Sequence, residues 1–124
     1  MSYKSKSLRA FVGAKNYAES IRFYEELGFS RVGIDDDMCL FVVSDNLSFY
    51  LQRYYNKEWV DNTMLFLEVD SVDDCYEEIK ALDLSSKYEL VKMTKIIHQD
   101  WGSEFHLMDP SGVLWHFGRF PESA

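Results

Sequence analysis

The side chains best suited to chemistry lie near the C-terminal end of the chain. In the run Trp101-Gly102-Ser103-Glu104-Phe105-His106-Leu107-Met108, apolar and polar residues alternate. That is the period of a half-buried strand. Glu104 and His106 therefore share one face, opposite Phe105 and Leu107, and His116 in the next apolar run can join them. Two imidazoles and a carboxylate can ligate a divalent metal ion, or they can form a hydrogen-bonded polar lining. His98 is placed in a loop. Trp101, in a loop before the strand, can present a large flat ring. Cys39 and Cys75 belong to no CxxC or Cys/His spacing and read as small core residues of a reduced protein. No GxSxG elbow frames a serine, and no GxGxxG or GxxxxGK[ST] loop can cradle phosphates. Asp35-Asp36-Asp37 lacks full Ca²⁺-loop spacing and reads as a solvated turn. Glu77-Glu78 reads as a solvated helix face.

The elements that must position these groups follow from pattern and punctuation. Residues 101–117 form a hairpin, with Asp109-Pro110-Ser111-Gly112 as the turn between Phe105/Leu107 and Val113/Trp115. Upstream, Leu8–Val12 is a short strand. Asn16 caps a helix with Glu19 in the capping-box position, and Gly28 ends it. Phe29–Ile34 is a strand, Met38–Val43 and Leu47–Leu51 form a hairpin, and 53–62 is a long crossover loop. The pattern then restarts. Met64–Val69 is a strand, Ser71 caps a second helix with Asp74 three residues on, and residues 91–97 form a strand before the final hairpin.

A shift of 55 residues aligns Phe11 with Phe66, Asn16 with Ser71, Glu19 with Asp74 and Leu27 with Leu82 without a gap. Each half reads strand, helix, strand, strand, strand. The expected fold is α+β: two βαβββ repeats, about 5–55 and 62–120, in one domain spanning 1–124. Their sheets form a curved open barrel, with helices on the outside and a hollow inner face.

Apolar residues make up 47% of the chain and aromatics 16%, which excludes a disordered chain. The formal net charge is −8, from 13 basic and 21 acidic residues. That balance disfavours nucleic-acid and anionic-membrane partners and suits a cationic ligand. No run approaches the roughly 20 apolar residues of a membrane span, and the N-terminus lacks a signal-peptide segment. The expected setting is the cytoplasm.

With these elements in place, the chain resembles the vicinal oxygen chelate superfamily, the glyoxalase/bleomycin resistance/extradiol dioxygenase group. The resemblance is carried by Ser20-Ile21-Arg22-Phe23-Tyr24 leading to Leu27-Gly28-Phe29, by Val69-Asp70-Ser71-Val72-Asp73, and by Asp109-Pro110-Ser111-Gly112. Within the group it is most similar to the bleomycin resistance proteins, through Leu27-Gly28-Phe29-Ser30-Arg31, Asp36-Asp37, Asp61-Asn62-Thr63, Trp101-Gly102, Glu104-Phe105 and His116-Phe117. The resemblance implies a homodimer that sequesters a flat cationic or aromatic compound, such as a bleomycin-like drug, in a cleft between subunits. It implies a binding protein rather than an enzyme. The alternative is a metal-dependent glyoxalase- or dioxygenase-like enzyme with relocated ligands.

In the superfamily's enzymes the metal ligands come from the first and last strands of each repeat. Those positions here are Arg9, Tyr50, Met64 and His116, of which only His116 is a good ligand for a divalent ion. The expectation is therefore no metal in the family position and no cofactor. A set made of Glu104, His106 and His116 is the one departure left open. The ligand-binding residues implied are Trp101 as the stacking platform, Gly102, Asp61, Met38, Phe66, Phe49 and His116. Val32-Gly33 stand where the branch has an acid and an aromatic, and Met38 stands where it has a second stacking aromatic.

Overall fold

The two helices expected from the repeat sit at matching positions in the computed structural model, which describes residues 3–121. Helix α1 spans Tyr17–Glu26 and helix α3 spans Val72–Ala81, and the same shift of 55 residues superimposes their bounds. Their caps match as well. Asn16 Oδ1 accepts the Glu19 N–H at 3.1 Å, and Ser71 Oγ accepts the Asp74 N–H at 3.2 Å. Each bond satisfies a donor that the first helical turn leaves unpaired.

Strands β1 (Phe11–Gly13), β2 (Ser30–Gly33), β3 (Met38–Ser44) and β4 (Leu47–Gln52) make the first sheet, in the order β1-β4-β3-β2. Strands β5 (Met64–Glu68), β6 (Lys92–Met93), β8 (Gly102–Met108) and β9 (Leu114–Arg119) make the second, in the order β5-β9-β8-β6. Strand β7 (Ile97–Gln99) also pairs with β8. In both sheets the first strand of the half runs parallel to its last: Phe11 faces Tyr50, and Phe66 faces His116. Tyr50 and His116 are thus structural counterparts. The sheets remain separate and do not close into a barrel.

One face of each sheet packs under a helix. Val12, Cys39, Phe41, Phe49 and Leu51 line that face in the first half, and Phe105, Leu107, Trp115 and Phe117 line it in the second; all are at most 2% exposed. The halves share this core. Trp115 packs against Phe49 (5.3 Å between centroids), Phe29 (5.6 Å) and Tyr24 (5.8 Å). A buried polar bridge reinforces the seam. The Tyr24 hydroxyl donates to Asp109 Oδ2 at 2.6 Å and accepts from Trp115 Nε1 at 2.9 Å. Asp109 Oδ1 accepts the N–H groups of Ser111, Gly112 and Val113 at 2.8–2.9 Å, so one carboxylate both shapes the final turn and fastens α1 to it.

The structure corrects several local expectations. The 53–62 segment is not all loop: Lys57–Asp61 form helix α2, capped by Asn56 and braced by a 2.6 Å Lys57–Asp61 ion pair. Five residues are too few to show helical periodicity. Leu84–Lys87 form a short helix, α4. The strand expected at 91–97 divides into β6 and β7, because Thr94 bonds twice to the backbone of His106 and takes up the pairing between them. His98 therefore lies in β7 and not in a loop. The first strand begins at Phe11 and leaves Leu8 fully exposed. Among the described residues, no helix is long and apolar enough to cross a membrane.

Candidate ligand-binding site

Alternation along β8 and β9 sorts their side chains by face. With Phe105, Leu107, Trp115 and Phe117 directed at the core, Glu104, His106 and His116 fall on the open face. His106 and His116 are direct cross-strand partners, with ring centroids 4.3 Å apart. Both rings turn a nitrogen to the same oxygen. Glu104 Oε1 lies 2.7 Å from His106 Nε2 and 2.6 Å from His116 Nδ1. Its other oxygen accepts from Gln99 Nε2 at 3.3 Å. Burial pushes the Glu104 carboxyl up, but the hydrogen bonds from His116 and His106 outweigh it and hold the group below the ordinary carboxylate range. The second nitrogen of His116, Nε2, is buried and has no hydrogen-bond partner among the described residues.

Aromatic rings rise beside this cluster. Phe66, across from His116 in the parallel pair, stacks near its ring at 6.3 Å. Phe66, Trp101 and Phe120 form a triangle, with centroids 5.2–6.1 Å apart. Phe66 and Phe120 stay 43% and 49% exposed, so the triangle is an open shelf and not core. Gln99 joins the shelf to the polar cluster: its Oε1 accepts the indole N–H of Trp101 at 2.9 Å while its amide donates to Glu104. Two glycines make room. A Cβ on Gly118 would stand 2.7 Å from Phe66 Cζ, and one on Gly102 would stand 2.1 Å from the Arg119 carbonyl oxygen. At Gly102, the group brought close is thus the chain's own strand β9.

The sequence-predicted residues divide between places. Trp101, Gly102, Phe66 and His116 come together at the shelf. Met38 lies on the open face of the first sheet, opposite Gln52 in β4. Phe49 lies in the core, its ring against Tyr24, Phe29, Phe41 and Trp115; a cavity of about 150 Å³ touches both it and Phe66. Asp61 ends α2 beside the Gly112 turn and pairs with Lys57. The length of β9, about 20 Å, separates that turn from the Trp101 end. Within one chain, Asp61 and Trp101 do not meet. A cavity of about 550 Å³ opens at the start of α3 among Ser71, Asp73, His98, Ser103, Arg119 and Phe120. Of the sequence-predicted residues it touches only Gly102.

The metal-ligand positions that the resemblance implies do not fit an ion. Arg9 donates to Ser48 Oγ at 3.0 Å and to the Tyr50 hydroxyl at 2.9 Å, and Met64 offers only a soft thioether. Sequence reasoning missed Phe120, Gln99 and Gly118. Phe120 had one signal, an aromatic placed just past the last strand; the other two had none.

No family model matches the chain, and no curated protein matches it by sequence. Solved structures do. The chain is similar to the bleomycin-binding protein of bleomycin-producing Streptomyces verticillus, complexed with copper(II)-bleomycin, at 24% identity and TM-score 0.78, covering 98% of this chain and 100% of that one. It is similar to a bleomycin resistance determinant encoded on the transposon Tn5 at 18% identity and TM-score 0.79, covering 95% and 100%. It is also similar to an antibiotic-binding protein of a Streptomyces species at 15% identity and TM-score 0.75, covering 97% and 100%. Together with the paired βαβββ halves, these likenesses give the chain the glyoxalase/bleomycin resistance fold.

Proposed function

We propose that this chain is a small-molecule binding protein that captures a flat cationic or aromatic compound on the shelf of Trp101, Phe66 and Phe120. The observation that carries the reading is the placement of three partly exposed rings, within 6.1 Å of one another, beside the buried carboxylate of Glu104. Rings so arranged offer stacking surface, and a desolvated cation over an indole face gains about 1 kcal/mol or more. The net charge of −8 favours cationic ligands at longer range. Stacking and charge attraction need no metal ion. Bleomycin and related antibiotics are the first ligands to test, because proteins described as binding them share the fold.

The protein acts as one domain over 1–124, in the cytoplasm, as a homodimer. Phe11, Met64 and Phe66 on the open sheet faces are 57%, 64% and 43% exposed. A second copy laid over those faces would convert the shelf into a cleft. In that arrangement Met38 and Asp61 of one subunit can approach the shelf of the other.

The test is a tryptophan-fluorescence titration with bleomycin and with flat cationic analogues. Binding is expected to quench Trp101, and Trp101→Ala is expected to abolish the response while leaving the circular dichroism spectrum unchanged. No fluorescence change at high micromolar concentration would end the bleomycin-type assignment. A monomer in sedimentation at the same concentration would end the dimer cleft.

A further inference from the structure

We infer that Glu104, His106 and His116 bind a divalent transition-metal ion on the open face of β8 and β9. This goes beyond the stacking reading, which needs no ion. The three donor atoms lie within 4.8 Å of one another, and two adjacent, paired strands supply all of them. Glu104 and His106 are two apart on one strand, and His116 stands directly across from His106, so three donors converge without any loop having to move.

The donor set selects the ion. Two imidazoles and one carboxylate suit zinc, cobalt or nickel, whereas magnesium and calcium prefer oxygen donors throughout. With bonds of about 2.0–2.2 Å, neighbouring donors must stand roughly 3.0–3.4 Å apart. The Glu104 contacts of 2.6 and 2.7 Å therefore need to open by well under 1 Å, and the two ring nitrogens, within 4.8 Å of each other, to close by up to about 1.5 Å. Ion binding exchanges the two imidazole–carboxylate hydrogen bonds for coordination, and each ring proton moves to its other nitrogen. The rings keep 20–26% of their side-chain surface exposed, so an ion and its remaining water ligands have access.

The cluster has no equivalent in the other half. In the first sheet the register places Leu40 opposite Tyr50, as His106 stands opposite His116, and Met38 two residues before Leu40 answers to Glu104. Where the first half has Met38, Leu40 and Tyr50, the second has a complete three-donor set. A mere polar lining would not require that all three differences fall on metal-ligating types at one spot.

The full-length protein, stripped with a chelator, is titrated calorimetrically with zinc, cobalt and nickel, and with magnesium as the control. One equivalent of each transition metal is expected to bind, with no response to magnesium. Cobalt is expected to give the visible absorption bands of a nitrogen- and oxygen-ligated ion. Glu104→Gln and His106→Gln are each expected to weaken binding by about ten-fold or more. His98→Gln is expected to leave it unchanged. Should either cluster variant fail to fold, imidazole proton resonances of the wild-type protein decide: two histidines must shift together on adding zinc. Absence of binding at high micromolar metal overturns the proposal, as do unaltered affinity in both folded variants or a shift of His98 alone. With a chelator added to the ligand fluorescence titration, failure of this site and failure of the stacking shelf are separate results.

Discussion

The Tyr24 hydroxyl and the Asp109 carboxylate, 85 residues apart, meet at 2.6 Å in the interior and tie the first helix of one half to the last turn of the other. Both residues are fully buried, and the same hydroxyl accepts the indole N–H of Trp115. Tyr24→Phe keeps the ring and its packing but strands two polar groups at once. Leaving a buried group unpaired costs about 1–3 kcal/mol, and more when it is charged. The variant is expected to lose about 2–4 kcal/mol on that basis, seen as a lower urea midpoint with an unchanged slope. A loss under 0.5 kcal/mol would show that the bridge is not holding the halves together.

Asp109 also sets a pH dependence. Burial pushes its carboxyl above the ordinary value, and the bonds from Tyr24, Val113, Ser111 and Gly112 pull it down only in part. A carboxyl with a raised folded-state value binds its proton more readily folded than unfolded. Its stabilising contribution is thus fully present below the unfolded-state value and is lost as pH rises through the folded one. Wild type is expected to gain stability relative to Asp109→Asn as the pH falls through that window. Paired urea midpoints measured from pH 7 downward test this. A difference that shrinks toward acid would reverse the sign.

Much of this arrangement is readable in the chain because it rests on local chemistry. Asn16 and Ser71 announce both helices, and their 55-residue spacing announces the duplication. Alternation in β8 places Glu104 and His106 on one face before any contact is known. What escaped depends on partners distant in sequence. Helix α2 has five residues, and only its Asn56 cap and Lys57–Asp61 pair mark it. Phe49 shares parity with Leu51 in β4, and its ring lies in the core with it. Within one chain the length of β9 separates Asp61 from Trp101, which the sequence alone does not reveal. Gln99 becomes meaningful only once Trp101 and Glu104 are seen on either side of it.

Two close-packed glycines in the second sheet make contrasting predictions. Gly102 has φ +152° and faces a backbone carbonyl, which cannot swing away without breaking the β8–β9 pairing. Gly102→Ala is expected to cost about 2 kcal/mol or more through strain and overpacking. Gly118 faces mainly the end of the Phe66 ring, with the Ser103 carbonyl at 3.0 Å. Gly118→Ala is expected to cost less stability but to displace Phe66, so its larger effect should fall on ligand affinity. Thermal unfolding and the fluorescence titration, run on both variants, separate the two. Equal effects on both measurements would contradict the distinction.

The sharpest test of which face is functional compares two phenylalanines in neighbouring parts of the second sheet. Phe105 is fully buried, stacked on Phe117 at 5.2 Å and edge-on to Tyr76 at 5.4 Å. Phe66 is on the opposite face, 43% exposed, its ring beside those of Trp101, Phe120 and His116. Truncating a core phenylalanine costs about 3–5 kcal/mol, because transfer energy and a cavity both count against the fold. Phe105→Ala should therefore unfold readily. Phe66→Ala loses a ring already half in water, and its cost is expected to stay below about 1 kcal/mol. If the shelf captures ligand, the second variant nevertheless loses about ten-fold or more in affinity, the equivalent of one stacking contact of about 1.4 kcal/mol. A Phe66→Ala protein that binds as tightly as wild type would remove the shelf from the ligand's path, whatever its stability.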